Sequence, residues 1–127
     1  MKTVLVIEDD IAVLEALQVA LEFYGYPVAV ARNGREALAR LDAEENLPGL
    51  IFLDLMMPVM DGFEFLEERS KRPKIAKIPV VVMSARTSFK ELFRDSTVSK
   101  CINKPVDLET LAATAKMFCS PPPSDPV

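Results

Sequence analysis

Short apolar runs alternate with stretches of helical periodicity along the chain, and this alternation limits the fold more than any other feature. Residues 4–7, 50–53 and 79–83 contain no polar side chain. In the segments that follow such runs, apolar residues recur at intervals of three and four, which is typical of amphipathic helices. Strands without a polar face are typical of a parallel sheet that helices cover on both sides. The pattern predicts a single α/β domain, a doubly wound (βα)5 parallel sheet.

The same pattern gives approximate bounds for each element. The predicted strands are 4–7, 27–31, 50–53, 79–83 and 100–103. The first predicted helix begins at Ile11, the second follows a cap at Asn33, and the third covers 63–72. The fourth passes through 90–93 with weaker periodicity, and the last follows a cap at Asp107. The proline-rich end cannot form a helix or a central strand. We therefore expect one domain over 1–119 and a tail, or the start of a linker, over 120–127.

Composition and charge exclude several classes of function. The 127 residues carry a net charge of −4 and include no histidine. Without a basic stripe the chain is poorly suited to bind nucleic acid directly. The lack of histidine removes Ser-His and Cys-His nucleophile pairs and histidine-bound zinc. Cys101 and Cys119 are too few for a disulfide framework.

No membrane segment or secretory signal is evident. The chain contains no run of about 18 apolar residues, which a membrane span requires. The apolar run at 4–7 is too short for a signal peptide and ends in acidic residues. We therefore expect no membrane contact and take the cytoplasm as the default location.

Acidic residues follow two of the predicted strands. Glu8, Asp9 and Asp10 come directly after the first strand, and Asp54 follows the third. Parallel strands end at one edge of the sheet, where such folds bind ligands. If these strands are neighbours, their carboxylates converge, and a divalent cation with oxygen ligands, best Mg²⁺, would relieve the repulsion. A single Asp at a strand end is about as often a solvated loop residue, but the cluster favours a metal site.

Two further polar residues are predicted at the same edge. Ser84 ends the fourth strand, and Lys104 follows the fifth. A hydroxyl and an ammonium beside a carboxylate–metal site would suit the binding of a phosphoryl group. Taken singly, each is more often a turn hydroxyl or a solvated lysine, so their shared position carries the argument.

Four motifs connect the chain to a known family. They are VIEDD at 6–10, LDLMMPVMDG at 53–62, VVVMSA at 80–85 and NKP at 103–105. Over roughly residues 2–119, the chain resembles the receiver domains of response regulators in two-component signalling. The resemblance implies a flavodoxin-like strand order, 2-1-3-4-5, and a domain that is phosphorylated.

The resemblance also implies a role for each acidic residue. Asp54 would accept a phosphoryl group and form an acyl phosphate. Asp10 would bind Mg²⁺ directly and Asp9 mainly through water, while Asp54 and the backbone carbonyl of Met56 would be further ligands. Because that carbonyl has to point at the metal, the loop after Asp54 has to be stiff, and Pro58 restricts it.

The remaining site residues follow from the same resemblance. Lys104 would pair with a phosphoryl oxygen, and the Lys104–Pro105 peptide bond would be cis. Ser84 would move to bind the phosphoryl group. Cys101 stands where the family usually has an aromatic residue whose rotation accompanies that movement, so the usual aromatic step is absent here.

The expected function is that of a phosphoacceptor in a phosphorelay. Phosphorylation of Asp54 would control binding to an unidentified downstream protein through the face formed by the fourth predicted helix, the fifth strand and the last predicted helix. The phosphodonor would be a histidine kinase or a phosphotransfer protein, and a weak homodimer is compatible with this role. The chain would not be an enzyme beyond weak self-phosphorylation and autophosphatase activity.

Two other readings stay open at this point. The first is a receiver-like interaction domain that keeps the site but binds its partner constitutively. The second is a phosphohydrolase with an aspartyl-phosphate intermediate. Such enzymes commonly carry an acid two residues after the nucleophile, and Met56 in that position counts against it.

Overall fold

Five parallel strands form the centre of the protein in a computed structural model that describes residues 2–85 and 98–119. The chain order is β1 (Val4–Ile7), α1 (Ile11–Phe23), β2 (Val28–Ala31), α2 (Gly34–Ala43), β3 (Leu50–Asp54), α3 (Gly62–Ser70), β4 (Val80–Ser84), β5 (Lys100–Asn103) and α4 (Leu108–Phe118). The strand order is β2-β1-β3-β4-β5, and every neighbouring pair is parallel. This confirms the predicted fold class and the order 2-1-3-4-5.

Each face of the sheet has its own hydrophobic core. Successive side chains of a strand point to opposite faces, so Leu5 and Ile7 pack into the core with α2 and α3, while Val4 and Val6 pack into the core with α1 and α4. All four residues are buried. Burial of side chains of this size stabilises the fold by about 1.5–3 kcal/mol each, which explains why β1 needs no polar face.

The predicted bounds differ from the observed ones by a residue or two. The third strand extends one residue further and includes Asp54. The third helix begins at Gly62, because the side chains and backbone of Asp61 and Glu64 form a capping box there. The helix that the sequence predicts through 90–93 and the tail at 120–127 lie outside the described residues.

The helices are short compared with the thickness of a bilayer. Among the helices in 2–85 and 98–119, none is long and apolar enough to span a membrane.

Candidate functional site

The carboxyl edge of the sheet brings together side chains that are distant in sequence. β1 and β3 are neighbours, with Ile7 opposite Leu53. Glu8 and Asp9 directly follow the end of β1, and Asp54 is the last residue of β3. The parallel pairing therefore places these acids side by side, as the sequence predicts for the ends of strands one and three.

Glu8, Asp9 and Asp54 form a compact acidic group. One carboxylate oxygen from each lies within 4.8 Å of the others. Glu8 is 1% exposed and Asp54 is 4% exposed, and Asp9 is half-buried. Little solvent is therefore available to screen the repulsion between the three carboxylates.

Lys104 supplies a positive charge to this group from the end of β5. Its Nζ lies 2.6 Å from Glu8 Oε1 and 3.2 Å from Asp54 Oδ1. Burial by itself would lower the pKa of Lys104, but the two carboxylates outweigh that effect and raise it. Lys104 therefore stays protonated and is shared between the acids of β1 and β3.

Glu8 is the unusual acid of the group. Burial, together with the nearby charge of Asp54, raises its pKa to about 7, although Lys104 opposes the shift. Glu8 Oε1 lies 2.6 Å from Lys104 Nζ, and no other described residue donates a hydrogen bond to it. The contact is therefore an ion pair, and a buried carboxylate oxygen keeps capacity for a further ligand.

Asp10 does not join this group, which differs from the expected ligand set. Its carboxylate accepts hydrogen bonds from the backbone amides of Ala12 at 2.9 Å and Val13 at 3.2 Å, and so caps α1. Asp10 is exposed, whereas Glu8 lies in the acidic group with Asp9 and Asp54. The cause is the start of α1 at Ile11, which makes the preceding Asp the favoured cap.

The loop after Asp54 begins close to the acidic group. The amide of Met56 donates to Asp54 Oδ1 at 3.4 Å, so the backbone folds back toward the carboxylate. The side chain of Met56 is 69% exposed. The loop closes where the amide of Gly62 donates to the carbonyl of Leu55 at 2.9 Å.

The ends of β4 and β5 complete the edge. Ser84 is buried at the end of β4, and its carbonyl accepts a hydrogen bond from the amide of Lys104 at 2.9 Å. The Lys104–Pro105 peptide bond is cis, as the resemblance implies. Cys101 is half-buried on β5 opposite Val82 and packs beside the core that α2 and α3 cover. Burial raises the pKa of its thiol.

The donor set fits a hard divalent cation. The described residues of the acidic group offer only oxygen atoms, and Mg²⁺ prefers such ligands and retains water in addition. Three carboxylates face one ammonium, so negative charge remains to be offset. The capacity of Glu8 Oε1 for a further ligand is consistent with this assignment.

Sequence reasoning gave Glu8 no role, although it placed the residue in the cluster. Glu, like Asp, is rarely buried because burial of its charge is costly, so residue type alone does not mark Glu8 as a buried member of the cluster. The available signal was the helix start at Ile11, because it assigns Asp10 to the cap and leaves Glu8 and Asp9 for the sheet edge.

Known proteins share both the sequence pattern and this architecture. The family model of the response regulator receiver domain matches residues 4–116. The response regulator MprA of Mycolicibacterium vanbaalenii is 38% identical over 112 residues, which cover 87% of this chain and 47% of MprA. The chain thus spans about half the length of that relative. An uncharacterised 14.6 kDa protein of Leptolyngbya boryana is 34% identical over 124 residues, covering 96% of this chain and 93% of that protein.

Solved structures agree with the sequence comparison. The chemotaxis response regulator CheY4 of Vibrio cholerae superimposes with a TM-score of 0.83 at 29% identity, covering 93% of this chain and 98% of CheY4. The phosphorylated cyanobacterial phytochrome response regulator RcpA gives a TM-score of 0.79 at 32% identity, with 94% of each chain covered. On the match over residues 4–116 and on its fold, the chain belongs to the family of response regulator receiver domains.

Proposed function

We propose that this receiver domain accepts a phosphoryl group on Asp54 in a Mg²⁺-dependent reaction. The observation that supports this most is the position of Lys104, whose ammonium lies 3.2 Å from Asp54 Oδ1. A buried carboxylate with a cation beside it and two further acids around it is suited to receive a phosphoryl group. The phosphorylated state named for RcpA, at 32% identity, also supports the proposal.

The transfer needs only a nucleophile and charge compensation. A carboxylate oxygen of Asp54 attacks the phosphorus of the donor, and an O–P bond forms. The bond from phosphorus to the leaving group breaks, and its electron pair departs with that group, which is an imidazole nitrogen if the donor is a phosphohistidine. Lys104 would then exchange its contact with the Asp54 carboxylate for one with a phosphoryl oxygen.

Glu8, Asp9 and Asp54, with the backbone carbonyl of Met56, would hold the Mg²⁺ ion. When bound, the ion offsets the charge of the carboxylates and of the incoming phosphoryl group. We propose Asp9 as the direct ligand and Glu8 as its neighbour in the site. This replaces the expected assignment to Asp10, whose carboxylate caps α1.

The output is proposed to be a change in protein binding. Ser84 would turn its hydroxyl toward the phosphoryl group and pull the segment after β4, and the face that includes β5 and α4 would then bind a downstream protein. Cys101 is too small to provide the aromatic rotation of other members. The donor is proposed to be a histidine kinase or a phosphotransfer protein, and the domain's own activity to be weak autophosphorylation and dephosphorylation.

Metal-dependent labelling tests the proposal. The protein is incubated with acetyl phosphate in Mg²⁺ or in EDTA, and the intact mass is recorded. We expect a single added phosphoryl group in Mg²⁺ and none in EDTA, because without the cation an anionic donor meets an acidic site. Equal labelling in EDTA would contradict the role of the metal.

A further inference from the structure

The loop over residues 55–61, between β3 and α3, contains a turn that is unfavourable in isolation. The amide of Met60 donates to the carbonyl of Pro58 at 2.8 Å, and Val59 between them has a φ of 70°. A three-residue turn with a central positive φ is rare and strained. A β-branched residue is among the least suited to that conformation. Contacts from outside the turn therefore have to hold it.

Gly62, the first residue of α3, provides one of these contacts directly after the loop. Its amide donates to the carbonyl of Leu55 at 2.9 Å. A Cβ on Gly62 would lie 2.7 Å from Leu55 Cα and 2.8 Å from the carbonyl oxygen of Asp54. The loop can fold back on the acceptor residue only because this position has no side chain.

Gly34, the first residue of α2, provides the second contact from another part of the chain. Its amide donates to the carbonyl of Met60 at 3.1 Å. This amide is one of the N-terminal groups that a helix leaves without an internal partner. A Cβ on Gly34 would lie 2.8 Å from Met60 Cγ, 2.9 Å from Met60 Sδ and 3.1 Å from its carbonyl oxygen. Gly34 thus donates a hydrogen bond to the carbonyl of Met60 and packs closely against the Met60 side chain.

We propose that Gly34 is a positioning residue for the Mg²⁺ site, acting through Met60 on the 55–61 loop. This inference depends on the proposed function, because that loop is the one from which Met56 would offer its carbonyl to the metal. A side chain at position 34 pushes Met60 away from α2 and displaces the loop with it. Glu8 and Asp9 follow β1 and Asp54 belongs to β3, so the variant displaces the loop and leaves the strands that carry the carboxylates in place.

The competing explanation is that Gly34 matters only for packing and stability. Gly49 offers a matched control, since a Cβ there would lie 2.9 Å from Lys2 Cβ, 3.0 Å from Lys2 Cδ and 3.2 Å from Cys119 Sγ. The collision is about as close, but Gly49 precedes β3 and so lies at the opposite edge of the sheet from Asp54. A purely structural effect would appear in both variants.

The experiment compares Gly34→Ala, Gly49→Ala and the double variant Gly34→Ala/Met60→Ala by isothermal titration calorimetry with Mg²⁺. We expect Gly34→Ala to weaken Mg²⁺ binding about tenfold, as is typical for residues that orient a ligand. Gly49→Ala should bind Mg²⁺ within about twofold of the unchanged protein, whatever its loss of stability, because it leaves the loop in place. The double variant should recover most of the lost affinity, because the Cγ and Sδ atoms that collide are gone.

Amide hydrogen exchange in the Mg²⁺-free protein gives a second readout by NMR. We expect Gly34→Ala to increase exchange at residues 34 and 62, and Gly49→Ala to leave both unchanged. If Gly34→Ala does not fold, Met60→Ala is measured instead and should increase exchange at residue 62, because no methyl group at position 34 then fills the space that the Met60 side chain leaves. Three results would overturn the inference. The first is unchanged amide exchange in the variant that is measured, and the second is a Mg²⁺ affinity of folded Gly34→Ala within twofold of the unchanged protein. The third is an equal loss of Mg²⁺ affinity in Gly34→Ala and Gly49→Ala. If the unchanged protein binds no Mg²⁺, the proposed function fails, whereas the exchange data still test whether Gly34 holds the loop.

Discussion

Lys104 Nζ lies 2.6 Å from Glu8 Oε1 and joins the end of β5 to the end of β1 across the acidic edge of the sheet. The same ammonium also contacts Asp54. Removal of the Lys104 ammonium would leave the buried carboxylates of Glu8 and Asp54 without a positive charge beside them. Removal of Glu8 would leave Asp54 as the one remaining carboxylate of this pair in contact with Lys104. The ion pair therefore links the stability of the domain to the state of its proposed acceptor.

Mg²⁺ binding should strengthen as the pH rises through about 7, the pKa to which burial raises Glu8. Below that pH Glu8 holds a proton, and the metal has to displace it. We expect the affinity to fall by up to about tenfold for each pH unit below 7, the limit for release of a single proton. Glu8→Gln should bind Mg²⁺ more weakly, but with a flatter profile between pH 6 and 8. Calorimetric titrations at several pH values provide the measurement, and an equally steep profile in Glu8→Gln would exclude Glu8 as the titrating group.

Asp9 and Asp10 should separate into a metal ligand and a helix cap. Asp10→Ala should lower the free energy of unfolding by about 1 kcal/mol, the usual cost of losing an N-cap, and leave Mg²⁺ affinity within about twofold, because its carboxylate faces the α1 amides. Asp9→Ala should show the opposite pattern. Asp107→Ala, which removes the cap of α4, is the matched control. Urea unfolding and Mg²⁺ titration test both effects. Loss of Mg²⁺ binding in Asp10→Ala would support Asp10 as a metal ligand, as the sequence suggests.

Replacement of Lys104 by Met should destabilise the Mg²⁺-free protein in a pH-dependent manner. At pH 8 we expect a loss of about 3 kcal/mol, since a buried ion pair loses one partner. The pKa of Glu8 in the folded state, about 7, lies above its ordinary 4.5. Protonation of Glu8 therefore favours folding below that pH, and this gain disappears as the pH rises through 7. Without Lys104 the penalty on the charged form grows, so the loss should be smaller at pH 6 than at pH 8.

An exposed lysine serves as the control for that experiment. Lys71 lies 3.3 Å from Glu68 and its side chain is 60% exposed, so Lys71→Met should cost no more than about 0.5 kcal/mol at either pH. Urea denaturation of both variants at the two pH values decides the matter. An equal cost of Lys104→Met at pH 6 and pH 8 would show that the Glu8 proton does not compensate for the lost cation.

The output face should respond to activation despite the small residue at position 101. Beryllofluoride with Mg²⁺, which imitates the phosphoryl group, should shift amide NMR signals across residues 85–103, because Ser84 and Lys104 flank that segment. Cys101→Tyr should enlarge the response if the ring fits beside the core where the Cys101 side chain packs. Asp54→Asn is the control and should show no shift. Changes confined to the neighbourhood of Asp54 would favour a receiver-like domain that binds its partner constitutively.

The sequence predicts the fold well because β1, β3 and β4 each carry their own signal. Runs such as 50–53 have no polar residue and read as buried strands without reference to the rest of the chain. The position of Asp54 at the edge of the sheet was also predictable, since Asp54 ends such a run. The position of Glu8 in the acidic group was missed because a shift of one residue at the end of a strand decides which carboxylate faces the sheet edge and which caps the helix.

Contacts between distant residues left no local pattern to read. The pairing of Lys104 with Glu8 depends on the order of the strands and on the burial of both side chains. The close approach of Gly34 to Met60 depends on where α2 begins relative to the 55–61 loop. A glycine after a helix cap has an ordinary local explanation, so only the three-dimensional arrangement shows that its lack of a side chain makes room for this loop.

The identity of the phosphorylated residue tests the central claim most directly. Wild-type protein, Asp54→Asn and Asp61→Asn are treated with acetyl phosphate and Mg²⁺, and intact mass spectrometry follows the added phosphoryl group. Asp61 is the matched control, because it belongs to the same loop but caps α3 through the amide of Glu64. The account predicts one phosphoryl group on the wild type and on Asp61→Asn, and none on Asp54→Asn. Labelling of Asp54→Asn to the wild-type level would contradict it.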